Sequence, residues 1–178
     1  VYNGGAWVNT TAMDGTTDAK DAYVYDDYTV SANAAANNIG VNTGKTLTVN
    51  SSIGLDVDGN LTANGNMSIN SGSSLIVSGT STGNVTYNRT IPTDNWYLMS
   101  SPVVGETYDD AYVTANSIAS GAGSNIGIAP YVTSDDTWDY MQSGETATFA
   151  AGNGYSVKRS ATGDISFTGT LNTADVSA

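Results

Sequence analysis

The sequence predicts an all-β protein in which a short β-solenoid-like repeat region precedes a β-sandwich or jelly-roll-like domain. A short apolar-polar-apolar phrase recurs within residues 46–79, and beyond residue 84 longer aromatic strand candidates replace it. Only 12% of the residues are charged, and the polar character comes from Asn, Thr, Ser and Gly, which favour turns and strand faces over helices. We therefore assign residues 1–83 to a lead-in with solenoid repeats and residues 84–178 to the sandwich.

The first 40 residues form a polar lead-in with strand-like islands. Residues 23–30, "YVYDDYTV", are rich in aromatic and β-branched side chains and alternate in part, which predicts a strand. Residues 34–36 are three alanines crowded by asparagines on both sides. They predict a turn or a short irregular segment.

The repeated phrase begins near Ile39 and places one polar residue between two apolar ones. The pairs are Leu47 and Val49, Leu55 and Val57, Leu61 and Ala63, Met67 and Ile69, and Leu75 and Val77. Such alternation predicts short strands with one buried face. A solenoid that stacks equivalent strands would bury all these side chains in one continuous core. An antiparallel meander of hairpins stays open as the alternative, because "DG", "NG" and "SG" also permit tight turns.

The carboxyl-terminal half has individually distinct strand candidates and a loop rich in Ser, Ala, Gly and Asn at 114–127. The strand candidates are 85–90, 96–100, 129–132, 138–141, 155–158 and 165–168. This pattern is typical of a β-sandwich or jelly roll. Trp96 alternates with Leu98, and Trp138 alternates with Tyr140, which favours the core for both tryptophans.

Charge and composition exclude several function classes. With 17 acidic and 5 basic residues, the formal charge of −12 repels nucleic acid and anionic lipid surfaces. The chain contains no His and no Cys, which excludes serine-histidine and cysteine-histidine catalysis and zinc sites built from those ligands. No segment is long and apolar enough to span a bilayer. We expect a protein that is not an enzyme, binds no nucleic acid and does not insert into membranes.

Several phrases resemble modules of large secreted surface proteins of Bacteroidota. The phrases are "GNVTYNRTIPTDNWYLMSSPV", "FAAGNGYSVKR" and "GDISFTGTLNTADVS", preceded by the stalk-like "DDYTVSAN" and "TGKTLTVNSS". The resemblance implies a stalk-like β-repeat followed by a β-sandwich module. It also implies export by type IX secretion, an extracellular location at the cell surface, and a signal peptide already removed. Related proteins continue with further β modules, so a cleaved, mature or truncated product is implied.

Two groups of acidic residues are candidates for cation binding or catalysis. Asp56, Asp58 and Asn60 have the D-x-D-G-N spacing of a calcium loop, but Met67 occupies the position of the bidentate Glu, and a solenoid corner turn explains the motif as well. Calcium is therefore a possible cofactor and no other is expected. The adjacent pairs are Asp26 with Asp27, Asp109 with Asp110, and Asp135 with Asp136. Adjacent side chains on a strand point to opposite faces, so solvated loop charge is favoured over paired glycosidase carboxylates.

The predicted function is that of an extracellular structural or adhesive surface protein that self-assembles into a filament or surface layer. Exposed strand edges and solenoid ends tend to pair with further copies. The candidate assembly contacts are Tyr2, Trp7, Tyr23, Tyr25, Tyr28, Leu171 and Val176. The alternative is a carbohydrate-binding adhesin module that contacts surface glycans, which predicts a row of exposed aromatic residues on one sheet face. A β-helical lyase or hydrolase is disfavoured because the basic residues are dispersed.

Overall fold

The computed structural model describes residues 1–7, 13 and 20–175. Strands make up 51% of it and helix 5%, and a β-solenoid of about 4 turns forms the amino-terminal part. The predicted all-β class and the predicted solenoid are therefore confirmed.

In the described part of the chain, eleven short or medium strands form the solenoid and the segment before it. Two strands precede the first coil, β1 (Tyr2–Asn3) and β2 (Ala6–Trp7). The first coil contains β3 (Ala22–Val24), β4 (Tyr28–Val30) and β5 (Ala34–Ala36). The second contains β6 (Ile39–Val41), β7 (Thr46–Val49) and β8 (Gly54–Val57). The third contains β9 (Leu61–Ile69) and β10 (Ser74–Val77), and β11 (Ser81–Ile91) opens the fourth.

Equivalent strands of successive coils pair in parallel. Leu55 lies between Ala34 of the previous coil and Leu75 of the next. The long strand β9 pairs with β6 through its first residues and with β7 through its last, and β11 continues both pairings. Parallel pairing excludes the alternative of a hairpin meander, since hairpins require antiparallel neighbours. The solenoid thus has three faces, and within the described residues the third face consists of β5, β8 and β10.

The apolar residues of the repeated phrase line the interior of the solenoid. Leu47, Leu55, Leu61 and Met67 are at most 1% exposed. Residues 34–36 are also buried and form β5, so the prediction of a turn there is wrong. Ala34 and Ala36 pair with the buried Leu55 and Val57, and this pairing and burial override the weak strand propensity of alanine.

Polar residues in the turns between successive strands link one coil to the next. The side-chain Oδ1 of Asn38 accepts a hydrogen bond from the backbone N of Asn60 at 2.7 Å. Oδ1 of Asn60 in turn accepts from the backbone N of Thr80, 20 residues further along, at 2.9 Å. We call Asn38, Asn60 and Thr80 the corner ladder. Its members occupy the turns that precede the first strands of the second, third and fourth coils.

The carboxyl-terminal half is antiparallel and contains one short helix. Its elements are β12 (Trp96–Met99), β13 (Val103–Val104), β14 (Thr107–Tyr108), α1 (Asp110–Ala115), β15 (Ile128–Val132), β16 (Thr137–Trp138), β17 (Ala147–Thr148), β18 (Tyr155–Lys158) and β19 (Gly163–Leu171). One sheet has the order β12-β18-β15-β16, β14 pairs with β17, and β19 lies between β11 and β13. The predicted loop at 114–127 holds the end of α1 and a 3-10 turn at Ala122–Ser124.

A second hydrophobic cluster fills this half, separate from the solenoid core. It includes Tyr108, Tyr112, Ile128, Phe149, Tyr155, Val157, Ile165 and Phe167. The sheets around it are antiparallel, and the predicted sandwich arrangement stays a prediction.

The strand β11 belongs to both halves. Its residue Val85 lies in the solenoid core, while Ile91 lies in the second cluster. Antiparallel pairing of β11 with β19 places Leu171 against the solenoid core. The boundary predicted between residues 83 and 84 therefore falls inside one continuous strand.

Candidate functional site

The four-stranded sheet β12-β18-β15-β16 presents one face to solvent. Directly opposed residues of an antiparallel sheet share a face, as do residues two apart on one strand. Trp96 lies opposite Lys158, Leu98 lies opposite Ser156, and Tyr131 lies opposite Trp138. Ser156 is also opposed by Ala129 on β15, which places all these side chains on the same side of the sheet.

Tyr140 extends this surface beyond the end of β16. The backbone N of Asp139 donates to Pro130 O at 3.1 Å, and the N of Met141 donates to Ile128 O at 3.0 Å. These bonds continue the β15-β16 register and set Tyr140 opposite Ala129, two residues from Trp138. We call Trp96, Leu98, Tyr131, Trp138 and Tyr140 the aromatic face.

The aromatic face is the largest group of exposed apolar side chains in the described part of the chain. Trp96 is 45% exposed, Leu98 76%, Tyr131 43% and Trp138 38%. The prediction that Trp96 and Trp138 belong to the core is therefore wrong. All four residues of β12 are apolar, so alternation alone does not show which side is buried, and in the structure Tyr97 and Met99 face the second cluster.

The rings of the aromatic face meet at angles. Trp96 and Tyr140 have ring centroids 5.7 Å apart with an interplanar angle of 67°. Tyr131 and Trp138 are 5.1 Å apart at 62°. Each pair therefore forms an angled corner, and the Cα atoms of Trp138 and Tyr140, one from each corner, lie about 7 Å apart along their strand.

A groove of about 410 Å³ opens beside the first corner. Its walls include Trp96, Tyr140, Ser120, Asn125 and Lys158. Oδ1 of Asn125 accepts a hydrogen bond from Gln142 Nε2 at 2.7 Å, which fixes the amide and leaves its Nδ2 group as a donor. Within the described residues Lys158 forms no ion pair. The groove thus combines two aromatic rings with amide, hydroxyl and ammonium groups.

At the second corner, the Tyr131 hydroxyl donates a hydrogen bond to a carboxylate oxygen of Asp136. This bond raises the pKa of Tyr131 above its usual value, and partial desolvation acts in the same direction. The phenol therefore stays neutral at physiological pH, and its ring is held in place next to Trp138.

The predicted calcium residues lie on the third face and at the corner that follows it. Asp56 is exposed on β8, Asp58 is exposed in the turn, and Oδ1 of Asn60 is occupied by the backbone N of Thr80. Among the described residues no cluster of three or more His, Cys, Asp or Glu side chains could hold a metal ion. Calcium binding here stays a prediction.

Three of the predicted assembly contacts form a cap on the amino-terminal end of the solenoid. The rings of Tyr2, Trp7 and Tyr28 lie within 4.6–5.5 Å of one another, and Trp7 and Tyr28 pack against the solenoid core. Their apolar area is therefore partly used within the chain itself.

The other predicted assembly contacts have different environments. Tyr23 and Tyr25 are 43% and 46% exposed and line a groove of about 440 Å³ on the solenoid. Leu171 packs against the solenoid core, and Val176 lies outside the described residues. The backbone N of Tyr25 donates to the carbonyl O of Tyr2 at 2.8 Å, so the strand that carries Tyr23 lies beside the amino-terminal cap.

Most carboxylates of the adjacent acidic pairs have structural partners. Asp26 forms an ion pair with Lys45 at 2.9 Å, and this hydrogen-bonded pair lowers the pKa of Asp26. Asp27 accepts a hydrogen bond from the backbone N of Thr46. Asp109 caps helix α1 by accepting from the backbone N of Tyr112 at 2.8 Å, which is a common role for Asp at this position.

No helix among the described residues has the length and apolar character needed to cross a bilayer. Comparison of the chain with protein-family models, with curated proteins and with solved structures found no match. The resemblance to surface proteins of Bacteroidota stays a prediction.

Proposed function

We propose that this protein is an extracellular, non-enzymatic adhesive protein that binds neutral surface polysaccharides through the aromatic face. The observation that carries the proposal is the cluster of exposed Trp and Tyr rings on one sheet face. Exposed apolar patches of this kind mark binding surfaces in otherwise polar proteins.

The chemistry of a pyranose ring fits this surface. The C–H groups of one sugar face pack against an aromatic ring, and the hydroxyl groups at the sugar edge remain available for hydrogen bonds. The groove beside Trp96 and Tyr140 supplies such partners through Asn125, Ser120 and Lys158. Two such corners on one sheet face suit a chain of linked sugar rings better than an isolated monosaccharide.

The net charge selects among polysaccharides. A protein with a formal charge of −12 repels acidic glycans at long range, and one lysine in the groove offsets little of that repulsion. Neutral polysaccharides are therefore the expected ligands, and preferential binding of an acidic polymer would overturn this part of the proposal.

The test is affinity electrophoresis of the full chain in gels that contain neutral glucans, mannans, xylans or, as acidic polymers, alginate and pectin. We expect retardation by at least one neutral polymer, and a loss of affinity of about tenfold in Trp96→Ala and in Trp138→Ala. Tyr25→Ala removes an exposed aromatic side chain elsewhere and is the matched control. Absence of retardation by every neutral polymer, or an equal loss in Tyr25→Ala, contradicts the proposal.

A further inference from the structure

The third face of the solenoid ends in a strand edge that is not covered. On the other faces β11 and β19 continue the stacking above β9, but β10 has only β8 as a neighbouring strand among the described residues. Leu75 and Val77 stand in the same columns as Leu55 and Val57, which are buried. They are themselves only half-buried, because no other strand of the described chain stacks on them.

The same edge is apolar on its outer side as well. Ile76 points away from the solenoid interior and is 58% exposed. Natural proteins protect exposed strand edges with charged residues, proline or bulges. Here no charged residue occurs between Asp58 and Arg89, so the chain places none of these charges on β9 or β10.

We propose that β10 pairs with β10 of a second copy of this chain and forms a two-fold symmetric dimer. The absence of charge favours a copy of the same molecule, because elsewhere two chains of formal charge −12 repel each other. Pairing of β10 with β5 of a second copy is disfavoured. Residues 34–36 of β5 are all buried, and the backbone N of Asn37 already donates to Lys20 O at 2.8 Å.

The hydrogen bonds of β10 fix the register of the dimer. The backbone N atoms of Ser74 and Ser78 donate to β8 and to the residue that follows it, so the N–H and C=O groups of Leu75 and Val77 point to the open edge. A two-fold axis through Ile76 then makes Leu75 and the second copy's Val77 a hydrogen-bonded pair. The two Ile76 side chains become a closely spaced, non-hydrogen-bonded pair on the outer face.

This dimer differs from the predicted filament and from the predicted contacts at the chain ends. An isologous two-fold interface closes on itself and does not propagate. An interface of one short strand per chain buries little area, so the dimer is weak and depends on protein concentration. The dimer carries two copies of the aromatic face. The proposal of this dimer does not depend on carbohydrate binding.

The absence of cysteine from the chain permits a direct test. In Ile76→Cys the two thiols of the dimer lie across a closely spaced pair, within the Cα separation of roughly 4.4–6.8 Å that disulfides require. Asp56→Cys is the matched control, because Asp56 occupies the same exposed column one strand away and its two copies would lie about 14 Å apart. We expect mild oxidation to cross-link Ile76→Cys at least tenfold faster than Asp56→Cys on non-reducing gels.

A second arm uses sedimentation equilibrium of the unmodified chain, Ile76→Lys and Thr62→Lys. Thr62 is an exposed position on β9, which belongs to another sheet, so Thr62→Lys adds the same charge away from the edge. The dimer is expected in the unmodified chain and in Thr62→Lys, and is lost in Ile76→Lys. A monomer at every concentration, or equal cross-linking of the two cysteine variants, overturns the proposal. A dimer lost in Trp96→Ala but kept in Ile76→Lys would assign it to the aromatic face instead.

Discussion

At the scale of single residues, the solenoid depends on a backbone position that excludes a side chain. Gly83 has a φ of +81°, and a Cβ built on it would lie 1.9 Å from the carbonyl O of Ala63. The pairing of β9 and β11 shifts register between Gly83 and Val85, so the strand turns the corner at this glycine. The left-handed backbone conformation and the close approach to Ala63 both disfavour any residue other than glycine at this position.

Gly83→Ala is therefore expected to destabilise the protein by about 2–4 kcal/mol, from backbone strain and overpacking together. Gly44→Ala is the matched control, since Gly44 also has a positive φ, +73°, but an added Cβ would have no neighbour within 4 Å. This variant should lose only about 1–2 kcal/mol of stability, which is the cost of backbone strain alone. Urea unfolding followed by circular dichroism measures both, and equal losses would show that the contact with Ala63 is unimportant.

Glu106 makes stability depend on pH. Desolvation raises the pKa of its carboxyl above the usual value, and Asp109 adds to the effect, although hydrogen bonds from Thr168 and Thr107 oppose it. A raised pKa in the folded state means that folding favours the protonated form. Its contribution to stability is therefore present at low pH and is lost as the pH rises through that pKa.

The unfolding free energy of the unmodified chain should fall as the pH rises from about 4 to 7, and Glu106→Gln should reduce this fall. The amide is neutral throughout this range, and its oxygen can accept a hydrogen bond from Thr168. Asp94→Asn removes an exposed carboxylate of the same half and should retain the slope of the unmodified chain. Thermal unfolding across this pH range provides the measurement. A slope in Glu106→Gln equal to that of the unmodified chain would contradict the assignment.

At the scale of elements, the solenoid repeat could be predicted from the sequence because most of its strands have one buried face. The apolar pairs predicted the interior of the solenoid correctly from Leu47 to Ile69. They did not predict β5, whose alanines carry no alternation. The pattern also failed for β12, where Trp96, Tyr97, Leu98 and Met99 are all apolar. The choice of face there depends on which residues meet the second cluster, and that is set by distant strands.

The corner ladder explains why asparagine recurs between strands. Asn60→Ala would leave the backbone N of Thr80 without its partner, at a cost of about 1 kcal/mol. The control is Asn64→Ala, because Asn64 is exposed on the strand that follows Asn60 and its side chain makes no hydrogen bond within the described residues. Chemical denaturation should separate the two variants, and an equal effect on stability would remove the ladder as an explanation for the asparagines.

At the scale of the whole molecule, β11 joins a parallel solenoid to an antiparallel half through one strand. Pairing with β19 covers the end of the solenoid, and the aromatic face lies on a different sheet, which does not share a strand with it. Paired through β10, two copies would present two aromatic faces on one particle. A second binding event on the same polymer then becomes intramolecular, which raises avidity without any new contact.

The most direct test of carbohydrate binding is the intrinsic fluorescence of the three tryptophans. Trp96 and Trp138 lie on the aromatic face, whereas Trp7 is in the amino-terminal cap. Titration with the neutral oligosaccharide of the best-retarding polymer should shift the emission to shorter wavelength as the exposed rings lose water. The double variant Trp96→Phe, Trp138→Phe should show no shift, since only Trp7 remains. A shift of unchanged size in that variant would place the ligand away from the aromatic face and contradict the proposed function.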